Sequence, residues 1–160
     1  MWTWIARARR MTMTDYLTLV EVVSLTLWIE IALEVMPFSR LLQGLNRHSP
    51  GTPSAVSVRG EVPRLMRFVT VAYEILPFPT TCLRQSLVLY ALLQRRAVRS
   101  RVCLGVARNG AALDAHAWVE ADGMGTDAGV ARFRELRPSL QFARTSELSR
   151  IRLSARFPRT

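Results

Sequence analysis

The chain has 160 residues, of which 49% are hydrophobic and 21% charged, and this composition suits a globular protein with one sizeable core. The net charge is +10 and all 22 basic residues are arginine, which favours acidic partners such as nucleic acid, a membrane surface or an acidic peptide. The arginines are spread out without interleaved aromatic residues, so we do not expect nucleic-acid binding. There is no secretory signal, CxxC or HExxH motif, so we expect a cytoplasmic protein without metal or cofactor.

A long apolar helix is predicted near the N-terminus, over residues 14–44, with a break or kink at Pro37 and a second short piece from Ser39 to Leu45. Four carboxylates interrupt the apolar pattern, at Asp15, Glu21, Glu30 and Glu34. A transmembrane helix would tolerate them poorly. The unit is too apolar to stand in water alone. It either packs on the rest of the chain or offers a face to a partner or, as a peripheral contact, to a membrane surface.

The organisation we predict has four parts: an N-terminal helical segment (1–50), a linker (51–60), a core domain (61–140) and a C-terminal tail (141–160). The linker is rich in Pro, Gly and Ser, which favour turns and loops. A helix with one apolar face is expected from Glu61 to Leu76.

The next helix begins at a cysteine. Pro77 and Pro79 keep the chain extended, and Thr80 or Thr81 can cap the helix by accepting a hydrogen bond from a free backbone N–H. Cys82 then lies in the first turn, where the helix dipole favours a thiolate. The residues that follow are apolar nearly all round, which predicts a helix buried on every side. By itself this position suits a nucleophile or an ordinary small buried residue.

The second half of the chain has the two-residue period of strands. A strand is predicted at 101–107, a hairpin signal at 108–110, and an alternating strand at 113–120. Asp122-Gly123 is a two-residue hairpin turn, so a third strand should start at Met124. Cys103, inside the first strand, is expected to be a buried structural residue. Helices followed by an antiparallel meander define an α+β fold.

A Cys–His pair is the chemistry that this order suggests. Cys82 at a helix start and His116 in the alternating strand could form it if the fold brings them within hydrogen-bond reach. If Asp122-Gly123 forms the turn, Asp127 becomes the diagonal cross-strand neighbour of His116 on the same face and can orient the imidazole. Asp114 is the runner-up, and a one-residue slip in register would remove Asp127 from that face.

The oxyanion-hole donors are only partly predictable. The backbone N–H of Cys82 is a natural first donor at a helix start, and the sequence identifies no second one. Gln85 is expected to point away from the site. Trp118 could line the active-site cleft or belong to the hydrophobic core.

Three stretches together carry a resemblance to a known family: the run from Cys82 to Arg96, Leu104-Gly-Val106, and Ala115-His-Ala-Trp-Val-Glu120 with Asp127. They resemble the transglutaminase-like maturation proteases of lasso-peptide biosynthesis, the leader peptidases or B proteins. The resemblance covers roughly residues 76–136. It implies a papain-like, transglutaminase-like fold with a Cys82–His116–Asp127 triad and no cofactor. The family's glycine after the Cys helix is Ala97 here, which puts that turn in doubt.

The resemblance also implies a function and its partners. The substrate would be a ribosomally made lasso precursor, whose leader is removed so that an ATP-dependent cyclase can form the macrolactam. A discrete leader-recognition protein is implied, because 160 residues leave no room for a fused recognition domain. Two alternatives stay open: an acyl-transferase with the same triad, and a non-catalytic scaffold that binds the leader and the cyclase through the N-terminal helix.

Overall fold

The computed structural model describes residues 12–47, 58–109, 112–122, 124–126, 133–135 and 152–153. Within these residues four helices come first: α1 (Met13–Val35), α2 (Phe38–Arg47), α3 (Val58–Ile75) and α4 (Cys82–Arg95). A sheet follows, made of β1 (Ser100–Asn109), β2 (Ala112–Ala121), β3 (Met124–Gly125), β4 (Arg134–Glu135) and β5 (Arg152–Leu153). The predicted α+β class, with N-terminal helices before a small antiparallel sheet, is confirmed.

The helix boundaries follow local capping chemistry. Thr12 caps α1 in a capping box with Asp15, and the helix ends before Pro37, at the predicted break. Helix α3 begins three residues before the predicted Glu61, so the end of the predicted linker is helical. Pro63 therefore lies inside the helix instead of near its start. The start of α3 was predicted too late because Gly60 and Pro63 are both residues that ordinarily favour helix ends.

Helix α1 packs on the rest of the chain with one side only. It runs parallel to α3, because Asp15 pairs with Arg64 at 2.7 Å and the Tyr73 hydroxyl donates to Glu30 at 2.9 Å. The inner side contributes four residues to the same core as α3 and α4: Val22, Leu25, Ile29 and Ala32. The outer side leaves large apolar residues exposed: Met13, Tyr16, Leu17, Val20, Leu27, Trp28, Ile31 and Val35.

The length and composition of α1 would also let it cross a membrane. Its mean hydropathy is 1.7 over the best window, and 39% of that window is buried within the protein. Core helices of soluble proteins meet the same criterion, so this is weak support for a membrane segment. The buried inner side is the stronger observation, because it makes α1 part of the hydrophobic core.

Helix α4 is the centre of the fold. Every residue from Gln85 to Gln94 is buried, which confirms the burial on all sides predicted from its apolar sequence. The helix contacts α1, α3 and both long strands, β1 and β2. The helix that begins with Cys82 is therefore held from several directions at once.

The end of α4 is a Schellman turn that has alanine where glycine is usual. The Ala97 N–H donates to Gln94 O at 3.1 Å and the Val98 N–H to Leu93 O at 3.0 Å. Ala97 has a φ of 55°, in the left-handed region that disfavours a β-carbon. The turn forms despite the departure noted in the sequence, and Ala97 carries the strain.

We expect Ala97→Gly to stabilise the fold by about 1 kcal/mol, because it removes the left-handed alanine from a turn whose hydrogen bonds stay in place. Denaturant unfolding should show a higher midpoint with an unchanged m-value. Ala97→Val is the opposite variant and should lower the midpoint. A midpoint that falls on introduction of glycine would contradict the strain assignment.

The sheet has the order β3-β2-β1-β4, and β5 pairs in parallel with β2. Strands β1 and β2 pair antiparallel from the pair Ser100 and Ala121 to the pair Asn109 and Ala112, so β1 extends two residues beyond the predicted strand end, into the predicted hairpin signal. Strands β4 and β5, of two residues each, were not predicted, because nothing in their short sequences alternates. Val119 and Ala121 belong to the helical core, while Trp118 and Cys103 form a second cluster with Phe133.

Candidate active site

Cys82 is the first residue of α4. Thr81 caps the helix with extended backbone, and its side-chain oxygen accepts a hydrogen bond from the Arg84 N–H, which confirms the predicted cap. The first N–H groups of a helix have no acceptor inside the helix, so the Cys82 N–H is available to a developing negative charge. Cys82 itself is fully buried, so the nucleophile candidate is held in a site shielded from water.

The structure brings Cys82 and His116 together. The Cys82 thiol is hydrogen-bonded to the His116 side chain and to the backbone of Ala117, its neighbour in β2. A second contact fixes the two elements, because the Ser86 hydroxyl donates to Ala117 O at 3.1 Å. The predicted meeting of a helix-start cysteine and a strand histidine is thus observed in the geometry.

The electrostatics of this pair favour the thiolate. Burial alone raises the pKa of the Cys82 thiol. The hydrogen bond with His116 lowers it, as do the hydrogen bonds with the Ala117 and Leu83 backbone and the charge of His116. Together these interactions bring the pKa below its usual value. A lowered thiol pKa at the N-terminus of a helix is characteristic of a reactive cysteine. Cys103, by contrast, is buried in the cluster around Trp118, as expected of a structural residue.

Aromatic rings hold the His116 imidazole from the side. Its ring stacks on Phe133 with centroids 4.9 Å apart and on Trp118 at 6.2 Å. Gly105 lies opposite His116 in β1, and a β-carbon there would come within 2.8 Å of the Trp118 ring. The glycine is therefore required for this packing. Trp118 is a core residue and not an open cleft wall, since only 2% of it is exposed.

Phe133 is the residue of this site that the sequence did not suggest. It follows a stretch without regular apolar spacing, and only its contact with His116 in the fold reveals its role. An isolated phenylalanine without apolar periodicity around it gives no signal of which ring it will contact.

The predicted hairpin register is observed as far as the description extends. Ala121 pairs with Met124, as expected, and Asp122 has a φ of 48°, which a tight two-residue turn requires. The Thr126 N–H donates to Val119 O at 2.9 Å, which continues the same register one residue further. Asp127 is the next residue and lies outside the described residues, so its role as the third member of the triad stays a prediction.

Two buried polar atoms near the pair have no partner among the described residues: Gln85 Oε1 and Trp118 Nε1. Gln85 is one turn after Cys82 and only 4% exposed. Within the described part of the chain, no three His, Cys, Asp or Glu side chains lie close enough together to hold a metal ion.

A buried helix that presents a cysteine to a histidine on an antiparallel sheet is the arrangement of a cysteine-nucleophile enzyme. The chain belongs to the transglutaminase-like superfamily, whose family model matches residues 23–140. Members of this superfamily are usually Cys–His–Asp enzymes, including proteases and transglutaminases. Neither the curated proteins nor the solved structures gave a match to the chain.

Proposed function

We propose that this protein is a cysteine peptidase that removes the leader from a ribosomally made lasso-peptide precursor. The observation that supports it most is the hydrogen bond between Cys82 and His116, with the thiol pKa lowered at the start of a buried helix. The substrate assignment rests on the sequence resemblance to the lasso leader peptidases.

The mechanism follows from the positions of the groups. The Cys82 thiolate attacks the scissile carbonyl, and the Cys82 N–H stabilises the oxyanion. His116, protonated, gives its proton to the departing amine, which becomes the free amino terminus of the core peptide. The leader is then attached to Cys82 as a thioester. Water, deprotonated by His116, hydrolyses the thioester and releases the leader with a free carboxylate.

The same proposal includes the partners and the compartment. A discrete recognition protein would present the leader, and a separate ATP-dependent cyclase would use the new amino terminus to form the macrolactam. The proposed compartment is the cytoplasm, where a ribosomally made precursor is synthesised. The released amine is the group that a macrolactam needs, which links the two reactions chemically.

An acyl-transferase is the second candidate, because the superfamily generally includes proteases and acyltransferases. Cys82 is fully buried, and a thioester shielded from water could be resolved by an amine. A non-catalytic scaffold is a third candidate, favoured by the exposed apolar side of α1.

Mass spectrometry of a reconstituted reaction separates the three. The purified protein is incubated with precursor and recognition protein, with and without a primary amine. A leader with a free carboxylate and a core with a free amino terminus support the peptidase. A leader–amine adduct as the main product would assign the acyl-transferase instead. Unchanged precursor, under conditions where the recognition protein binds it, would favour the scaffold.

We expect Asp127→Asn to lower the cleavage rate by about 10²-fold or more, because the imidazole would lose the carboxylate that orients it. Asp114→Asn is the matched comparison, since Asp114 lies in β2 two residues before His116. Cleavage kinetics for both variants decide between them. If Asp114→Asn shows the larger loss, the register argument for Asp127 is wrong.

A further inference from the structure

Glu30 is a carboxylate in an unusual place. It lies on the inner side of α1 and is only 5% exposed, among residues of the hydrophobic core. A buried charge is costly unless it is paired and hydrogen-bonded. Its two oxygens are both used: Tyr73 donates to Oε1 at 2.9 Å, and Arg84 Nη1 lies 3.0 Å from Oε2.

Arg84 connects this carboxylate to the nucleophile. It is two residues after Cys82, in the first turn of α4. The same nitrogen that meets Glu30 also lies 3.4 Å from the carbonyl oxygen of Pro79 in the extended segment before the helix. The Arg84 backbone N–H donates to the Thr81 side chain, also at 3.4 Å. Arg84, which follows Cys82, therefore holds two residues that precede it and is itself held by Glu30.

A structural role alone does not account well for this choice of residues. Replacing a buried ion pair by apolar side chains is often neutral or stabilising, so the pair is not needed to hold α1 against α4. What an ion pair with fixed hydrogen bonds supplies, and an apolar contact does not, is a defined orientation of the groups bound to it. The group oriented here is the turn that carries Cys82.

From these contacts we propose that Glu30 is a positioning residue that, through Arg84 and with Tyr73, sets the place of Cys82 relative to His116. This role refines the proposed function. The test by precursor cleavage rests on that function, because it needs the proposed substrate. Neither Glu30 nor Arg84 is assigned a contact with substrate. Their action is on the segment from Pro79 to Cys82.

The fold provides a matched control at the other end of the same two helices. Arg96, after the last turn of α4, lies 2.9 Å from Glu21 of α1. Glu21 and Glu30 thus each pair with an arginine of the α4 region, but only the Glu30 pair is next to Cys82. Arg96 also pairs with Glu61 at 3.1 Å, so Glu21→Gln controls for the loss of an α1–α4 ion pair as such. The separation of positioning from packing comes from the split between kcat and KM and from the reactivity of the Cys82 thiol.

The test compares Glu30→Gln and Glu21→Gln in the full chain with two readouts. The first is precursor cleavage in the presence of the recognition protein. We expect kcat to fall about tenfold for Glu30→Gln with KM little changed, since small displacements of a reacting group cost at least this much. Glu21→Gln should leave both parameters near those of the unmodified protein.

The second readout is the pH midpoint of Cys82 alkylation by iodoacetamide, which needs no substrate. The charged groups concerned are His116 on β2, Arg84 on α4 and Glu30 on α1. We expect the midpoint to rise by about one pH unit in Glu30→Gln, because Cys82 would lose its hydrogen bond to His116. An Arg84 freed of its partner would act by charge alone and lower the midpoint, so an unchanged or lowered midpoint overturns the proposal.

A second variant keeps the proposal testable if Glu30→Gln does not fold. Tyr73→Phe removes one hydroxyl and leaves the ion pair, and it should shift both readouts in the same direction by a smaller amount. If it leaves both unchanged in a folded protein, the proposal fails. If the unmodified protein does not cleave the precursor, the proposed function fails, and the alkylation midpoint still decides the role of Glu30.

Discussion

Cys82→Ala is expected to abolish precursor cleavage, to below about one part in 10⁴ of the unmodified rate, because no other group can form the thioester. The side chain removed is fully buried and small, so the fold should persist. Activity is measured by mass spectrometry of the precursor over a long incubation with the recognition protein. Folding is checked in parallel by thermal unfolding.

Cys103→Ala is the control for this experiment. Cys103 is also buried, but it lies in β1 next to Trp118 and not at a helix start. This variant should retain most of the activity with a modest loss of stability, since it only removes a buried sulfur. If Cys103→Ala abolished cleavage while Cys82→Ala did not, the nucleophile would be misassigned.

His116→Asn is expected to have the second largest effect, a loss of about 10³-fold or more in cleavage. The variant removes the group that moves the proton and one of the interactions that lower the thiol pKa. Asparagine can still occupy the strand position, so the fold should be retained. The rate is measured under the conditions used for Cys82→Ala.

The pH dependence of thiol reactivity gives this prediction a second test. In the unmodified protein the pKa of Cys82 is lowered, so alkylation should proceed at neutral pH. In His116→Asn the alkylation midpoint should move upward, because burial still raises the pKa while the histidine hydrogen bond and charge no longer oppose it. An unchanged midpoint would mean that His116 does not activate the thiol. A non-catalytic scaffold instead predicts that Cys82 resists alkylation in the unmodified protein.

The helical half of the fold was predictable, because its signals are local. Pro37 ended α1, Thr81 capped α4 and the apolar run after Cys82 indicated burial on all sides, and each is seen in the structure. The β2–β3 register was also predictable, because the Asp122-Gly123 motif predicts that Ala121 pairs with Met124, as observed. Each of these rests on residues within a few positions of one another.

The parts that the sequence did not predict depend on distant contacts. Phe133 stacks on His116 from a segment with no apolar period, so no local pattern predicts it. Glu30 was visible only as a charge that argues against a membrane span. Its burial against Tyr73 and Arg84 depends on how three helices pack. Gln85 is buried one turn after Cys82, and its Oε1 has no hydrogen-bond partner among the described residues, which its position in the helix does not predict.

The candidate site was predictable in part. Cys82 was a candidate because it begins a helix, and His116 because it lies in an alternating strand. In the fold the two side chains are hydrogen-bonded. Ala97, in place of the glycine of the resembling family, put the turn after α4 in doubt, but the hydrogen bonds of a Schellman turn form in spite of its left-handed backbone. Local propensity there is overridden by the burial of Val98 and Leu93, which close the turn.

The most direct test of the account is to trap the acyl-enzyme. The protein is mixed with precursor and recognition protein, quenched in acid within the first turnover and analysed by intact-mass and peptide mass spectrometry. We predict a mass increase equal to the leader, less water, on the peptide containing Cys82, and its absence from Cys82→Ala. Precursor cleaved by Cys82→Ala, or a leader adduct on any other residue, would contradict the assignment of Cys82 as the nucleophile.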